Sequence, residues 1–259
     1  MANNDQSTTP KVRAFNFKWA LPLFLKPRKT TAEIVAGDKP QWLTPMIILS
    51  VLVILFTLFA APIRKEAIQM GLNTPENFQY FSAEQQAQFL DAQAKQTSPL
   101  FLYVFPILTS WIGIWASWFI LSSILHLILT LSGSRAVSIK SYNLSSWSFL
   151  PIGVRYLVQI MAMIFTHTVI SKPGLSGFVA ADATGLTAYF GAFIGLIDIY
   201  FAFQVFLLFI GSIPLSGLSK TKALTATAIA VVVLMLLQAL PGFISSMLSG
   251  LSLSGGFYI

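Results

Sequence analysis

The sequence predicts an all-α, polytopic membrane protein, a bundle of five transmembrane helices, and three observations carry that prediction. Of 259 residues, 55% are hydrophobic and only 10% are charged, against roughly 25% charged in a soluble domain. The charges are bunched, which leaves uncharged tracts long enough to cross a hydrocarbon core of about 30 Å. Lys and Arg also gather beside those tracts, as membrane orientation demands. The net charge of +7 is therefore read as topological and as contact with anionic lipid, not as binding of nucleic acid. There is no cysteine, which excludes disulfides, a thiolate nucleophile and a cysteine-ligated metal.

The elements follow in order. Residues 1–13 are polar and aperiodic, a flexible tail. Next, Phe15, Phe17, Trp19, Leu21, Leu23, Phe24 and Leu25 alternate with Lys18, Lys26, Arg28 and Lys29, a mixture suited to an anionic headgroup surface. Pro22 and Pro27 break this segment, and the Thr30/Glu33 spacing predicts a capping box opening a short helix over Glu33–Ala36. The first span is Leu43–Ile63, an uncleaved anchor. This divides the chain into an N-terminal tail and interfacial segment, 1–42, and a transmembrane domain, 43–259, with an external loop at 64–98. In that loop Thr74 and Ser82 mark helix starts, and Asp91 and Lys95 have favourable helical spacing.

The second span runs from Ile107 to Leu131 behind Pro106, with Trp111, Trp115 and Trp118 expected to belt one end. The third, Trp147–Ile170, contains Arg155, and the fourth, Leu186–Ile213, contains Asp198 in its middle. The fifth starts at Ala223 and is ended or kinked at Pro241, leaving an uncharged interfacial tail. Eleven Lys and Arg fall on the side of the N-terminus and four on the other, with Arg155 inside a span. The positive-inside rule then places the protein in the cell membrane with a cytoplasmic N-terminus and an external C-terminus.

Three patterns invite a chemical reading and have plainer explanations. Gly174–Gly177 spells G-x-S-G, the serine-protease pattern of rhomboid-type enzymes, yet no histidine follows Ser176. Ser219 and Lys222 have S-x-x-K spacing without a companion motif. His126 and His167 stand alone on different spans, so no metal ligands, cofactor site or catalytic residues are assigned. Gly191 and Gly195 form a G-x-x-x-G stripe for helix packing, within the bundle or between copies in a homo-oligomer. Arg155 and Asp198 are each costly in lipid, by about 2.5–3.5 kcal/mol at a helix centre, so a charge pair is expected between them. The same two residues, with Gln159 and Gln204, are also what a small transporter or channel would use.

Ile197–Phe203, then Leu207–Gly211, then Gly217–Leu224 resemble the D-L-F-x-I-W, L-L-x-I-G and G-L-S-x-x-K-A-L stretches of the bacterial branch of the Yip family, though Phe203 stands where tryptophan is usual. Lys26–Thr30 with Ile34, and Ser138–Pro151, extend the resemblance over most of the chain outside 64–98. The D-L-Y-G-P signature of eukaryotic members is missing, so binding to Rab-type GTPases is not implied. The resemblance implies a five-span, non-catalytic protein with a cytoplasmic N-terminus. Eukaryotic relatives act in vesicle trafficking and membrane shaping, and some bacterial relatives accompany multi-component ABC exporters. A membrane adaptor or accessory protein, partnered with lipid and with another membrane protein such as an ABC exporter, is the function it suggests.

Overall fold

In lipid every backbone polar group must be bonded inside its own segment, so apolar tracts of this length fold as helices. The computed structural model describes residues 15–70, 75, 77–170, 174–178 and 185–254, without the side chains of 176 and 245–254. The tail at 1–13 and the helix start at Thr74 lie outside the described residues. Ten α-helices are described: α1 Pro22–Leu25, α2 Pro27–Ala36, α3 Leu43–Gln69, α4 Ala83–Gln96, α5 Phe105–Leu131, α6 Ser138–Ser148, α7 Leu150–Thr166, α8 Gly185–Gly195, α9 Ile199–Ser216 and α10 Lys220–Ser254. Among the described residues five helices are long and apolar enough to cross a membrane: α3, α5 with the turn before it, α6 with α7, α9 and α10. They pack in a round, α3 on α5, α5 on α10, α10 on α9, α9 on α7 and α7 back on α3.

Several boundaries differ from those expected, each for a local reason. The helix of the first span does not stop at Ile63; α3 continues to Gln69, because extending an existing helix needs no new nucleus. The second span is entered through a wide turn at Leu100–Val104, and Pro106 sits in the first turn of α5, where a missing N–H costs nothing. The third span starts early, at Ser138, and is broken at Phe149, because Pro151 at the second position of α7 has no N–H to continue α6. It ends at Thr166, where His167 turns left-handed with φ 50°. Pro241 does not end α10, which runs through it to Ser254. Ser82 and Gln85 form a reciprocal capping box on α4, and Lys95 pairs with Asp91 at 2.7 Å.

The expected capping box at Thr30 and Glu33 is absent, because Pro27 already starts the helix. Thr30 Oγ1 instead donates to Lys26 O at 3.0 Å, and Glu33 accepts from Trp19 Nε1 at 3.1 Å. Nor do the tryptophans belt one end. Trp118 is buried and donates to Tyr142 O, while Trp111 and Trp115 both donate to Ser50 Oγ at 3.0 Å. They form a ladder along the α3–α5 seam because one Ser50 hydroxyl satisfies two indole N–H groups that would be costly in apolar surroundings.

At the N-terminal end of the bundle the packing is close. α6 buries Ser141, Asn143, Ser145, Ser146 and Ser148, and such small side chains let neighbouring backbones approach. A Cβ on Gly211 of α9 would collide with Leu144 Cδ1. Asn143 accepts from Gln41 N–H at 2.8 Å and donates to Lys39 O at 2.9 Å, which locks the link between α2 and α3 onto α6. Trp19, Leu23 and Ile34 insert beside Trp147, Leu150 and Leu207. The N-terminal segment is thus a shelf docked on protein, not a strip lying wholly on lipid.

Candidate functional site

A carboxylate inside an apolar tract must find positive partners or remain a large penalty, and Asp198 finds Arg155 and the N-terminus of α9. The fourth span is not one helix with Asp198 at its centre. α8 stops at Gly195, two tight turns bond Leu196 N–H to Phe193 O and Ile197 N–H to Ile194 O, and Asp198 is extended (φ −142°) as the N-cap of α9. Aspartate is among the best N-caps because its oxygen accepts an orphan N–H of the first turn. Here Oδ1 accepts from Phe201 N–H at 2.8 Å, and at the same time from Arg155 Nη2 at 2.8 Å. Arg155 Nε lies 2.7 Å from Oδ2, within pairing distance but off the line of its own N–H. The N-terminus of α9 adds its dipole to the same carboxylate.

The pair joins α7 to α9 and is largely buried, with side-chain exposures of 23% for Arg155 and 12% for Asp198. From Ser216, α9 rises about 27 Å to Asp198 at 1.5 Å per residue. The turn at Gly174–Phe178 closes over the break, its Leu175 N–H bonding Ile197 O at 3.1 Å. This is where the G-x-S-G pattern falls, as a tight turn. Ser219, of the S-x-x-K pattern, directly precedes α10 and its carbonyl accepts Ala223 N–H.

Beside the pair lies a cavity of about 250 Å³ among α5, α7, α9 and α10, with Ser110, Ser117, Arg155, Tyr156, Gln204 and Gln238 as its polar lining. Gln238 Nε2 donates to Ser117 Oγ at 2.8 Å, tying α10 to α5. Of the two glutamines named from the sequence, Gln204 lines this cavity and Gln159 does not. Gln238, Ser117 and Tyr156 were not anticipated. The signal for Gln238 was there: it is the only amide in an otherwise apolar stretch, and a buried amide needs a partner.

The other candidate residues lie apart from this cavity. Gly191 is buried on α8, which packs on α10, and Gly195 is the last residue of α8. Lys18, Lys26, Arg28 and Lys29 are exposed on the N-terminal shelf. Among the described residues no three His, Cys, Asp or Glu side chains gather.

This layout is an α-helical bundle whose first helices, the shelf, dock onto its spans. A family model for the Yip1 domain matches residues 22–240. The chain belongs to the Yip1 domain family. It is a multi-pass membrane protein of that family, and neither a curated protein nor a solved structure matches it. The Yip1 match begins at the first residue of α1 and ends just before Pro241 of α10. It therefore takes in α1 and α2 of the docked shelf as well as the spans.

Proposed function

We propose that this Yip1-domain protein is a non-catalytic membrane adaptor or accessory subunit. It sits in the cell membrane with its N-terminus cytoplasmic and its C-terminus outside, and holds another membrane protein beside an anionic leaflet. The observation that carries this reading is the shelf. Its inner face is fixed by Trp19, Leu23 and Ile34, while Phe17, Leu21 and Leu25 are exposed beside Lys18, Lys26, Arg28 and Lys29. None of those four cations makes an ion pair among the described residues. Cations near an anionic leaflet contribute about 1 kcal/mol each, so a rigid basic face of this kind suits headgroups and a partner's juxtamembrane segment. Gly191 is already buried inside the bundle, which leaves the shelf as the favoured contact over a homo-oligomer through α8. A multi-component ABC exporter is the partner class that the family resemblance suggests.

A second reading, a small transporter using Arg155 and Asp198, is favoured by one feature: the fourth span is discontinuous at the pair. Many transporters place the end of a broken helix at a buried polar site. Two measurements separate the readings. Full-length protein purified from native membranes should bring down a membrane protein identifiable by mass spectrometry, and the triple variant Lys26→Glu/Arg28→Glu/Lys29→Glu should lose it while remaining folded. Equal recovery by the variant would remove the shelf as the docking surface. Solute flux through liposomes containing only the purified protein would decide for the transporter.

A further inference from the structure

We propose that the cavity among α5, α7, α9 and α10 is a binding site for a small oxyanion of the phosphate type, either free or carried on a lipid headgroup. The inference goes beyond the adaptor reading and does not depend on it. It begins with unused hydrogen-bonding capacity. Gln204 is 3% exposed and lines the cavity, yet its amide makes no hydrogen bond among the described residues. Tyr156 and Ser110 line the same space, and neither hydroxyl makes a hydrogen bond among the described residues. Of the polar atoms at this site only Arg155 Nε is sealed from solvent and without a hydrogen bond; the Gln204 amide is open to the cavity, where a ligand or water can meet it.

Charge favours an anion. Arg155 lines the cavity and Asp198 does not. A guanidinium carries five N–H donors, and Asp198 faces only Nε and one N–H of Nη2. The other N–H groups have no acceptor among the described residues. The carboxylate therefore holds one edge of the guanidinium and fixes its plane, while the rest of its donors remain for a ligand. Tyr156, Ser110 and the Gln204 amide add neutral donors, so an oxyanion could be met from several sides. A cation would face Arg155 with no free carboxylate to offset it.

Size limits the ligand. About 250 Å³ is well above the about 30 Å³ that one water occupies in the liquid. A polyatomic anion or one headgroup phosphate fits, whereas an entire lipid would have to leave its acyl chains outside. The Gly113 position offers a way to close the space. Gly113 is an exposed residue of the lining, and a Cβ built there meets no heavy atom within 4 Å, so Gly113→Leu sets a bulky side chain at the edge of the space without a backbone clash.

The test uses the full-length protein in detergent, with inorganic phosphate as one probe and short-chain phosphatidylglycerol as the other. Binding is followed by calorimetry and lipid retention by native mass spectrometry. Wild type should bind at least one probe, and both Gly113→Leu and Gln204→Leu should weaken that binding tenfold or more at unchanged elution volume. Binding of phosphate itself identifies a free anion as sufficient; retention of the lipid without phosphate binding identifies the headgroup. No binding of either probe by wild type, or equal binding by wild type and Gln204→Leu, overturns the proposal and leaves a hydrated cavity. Gln204→Leu decides the matter alone if Gly113→Leu does not fold.

Discussion

Two glycines describe two kinds of interior in one bundle. At Gly211 the α9 backbone lies so close to α6 that an added methyl would run into Leu144, whereas Gly113 is exposed at the edge of the cavity and an added methyl there meets no heavy atom within 4 Å. The first interior is built from small residues and close helix contact, and it carries the shelf. The second has one ion pair and several polar residues lining a cavity. In membranes helices associate mainly through close packing and a few polar contacts. The close-packed end can therefore supply the stability, leaving the other end free to keep space open.

Breaking the ion pair is the most severe test of that contrast. Arg155→Ala or Asp198→Ala leaves an uncompensated buried charge, which costs about 3–5 kcal/mol, measurable by unfolding in detergent. The exchange Arg155→Asp with Asp198→Arg should recover only part of this, because arginine cannot replace the N-cap. Asp198→Asn should be less destabilising than Asp198→Ala by about 1 kcal/mol, the value of a cap. If both single alanine variants unfold like wild type, the pair does not hold the bundle together.

Crowding the close-packed end comes next. Gly211→Ala should cost about 1–3 kcal/mol through overpacking, and Leu144→Ala in the same chain should recover much of that loss. Gly113→Ala should be close to neutral in the same assay. Equal losses at the two glycines would erase the distinction between the two interiors. A smaller loss than at Gly211 is expected at Gln238→Leu, which removes one hydrogen bond to Ser117 of the cavity lining, for about 0.5–1.5 kcal/mol. A loss as large as that of Arg155→Ala would mean that the polar lining, and not the ion pair, holds α10 to α5.

The spans were legible because hydropathy is a local property: four have ends shifted by their caps and prolines, and the fourth in chain order is cut at Asp198, with α9 alone long enough to cross. Two breaks are written in the sequence. Pro151 shortly after Phe149 cannot continue a helix, and Gly195 followed by Asp198 is a helix stop and a helix start. Gly195 was read as half of a packing stripe, although a glycine that closes a helix looks the same in a pattern. The glycines that matter for close approach, Gly153 against Leu52 and Gly211 against Leu144, sit in no repeated motif. Arg155 and Asp198 could be singled out because isolated charges are conspicuous in apolar tracts. The cavity could not, since its lining comes from four helices and exists only once they are assembled.

The break at Asp198 also sets how a mechanical load would travel through the molecule. α8 is fastened mainly to α10, by Tyr189 Oη on Leu236 O and by Ala192 against Gly242. α9 is bolted to α7 by the ion pair. Between them only Leu196 and Ile197, in tight turns, connect the two. A pull on the segment before α8 is thus borne first by α10, and it reaches α9 through the α10–α9 contact and not through a continuous helix. The fourth span behaves as two separate beams sharing one thread of chain.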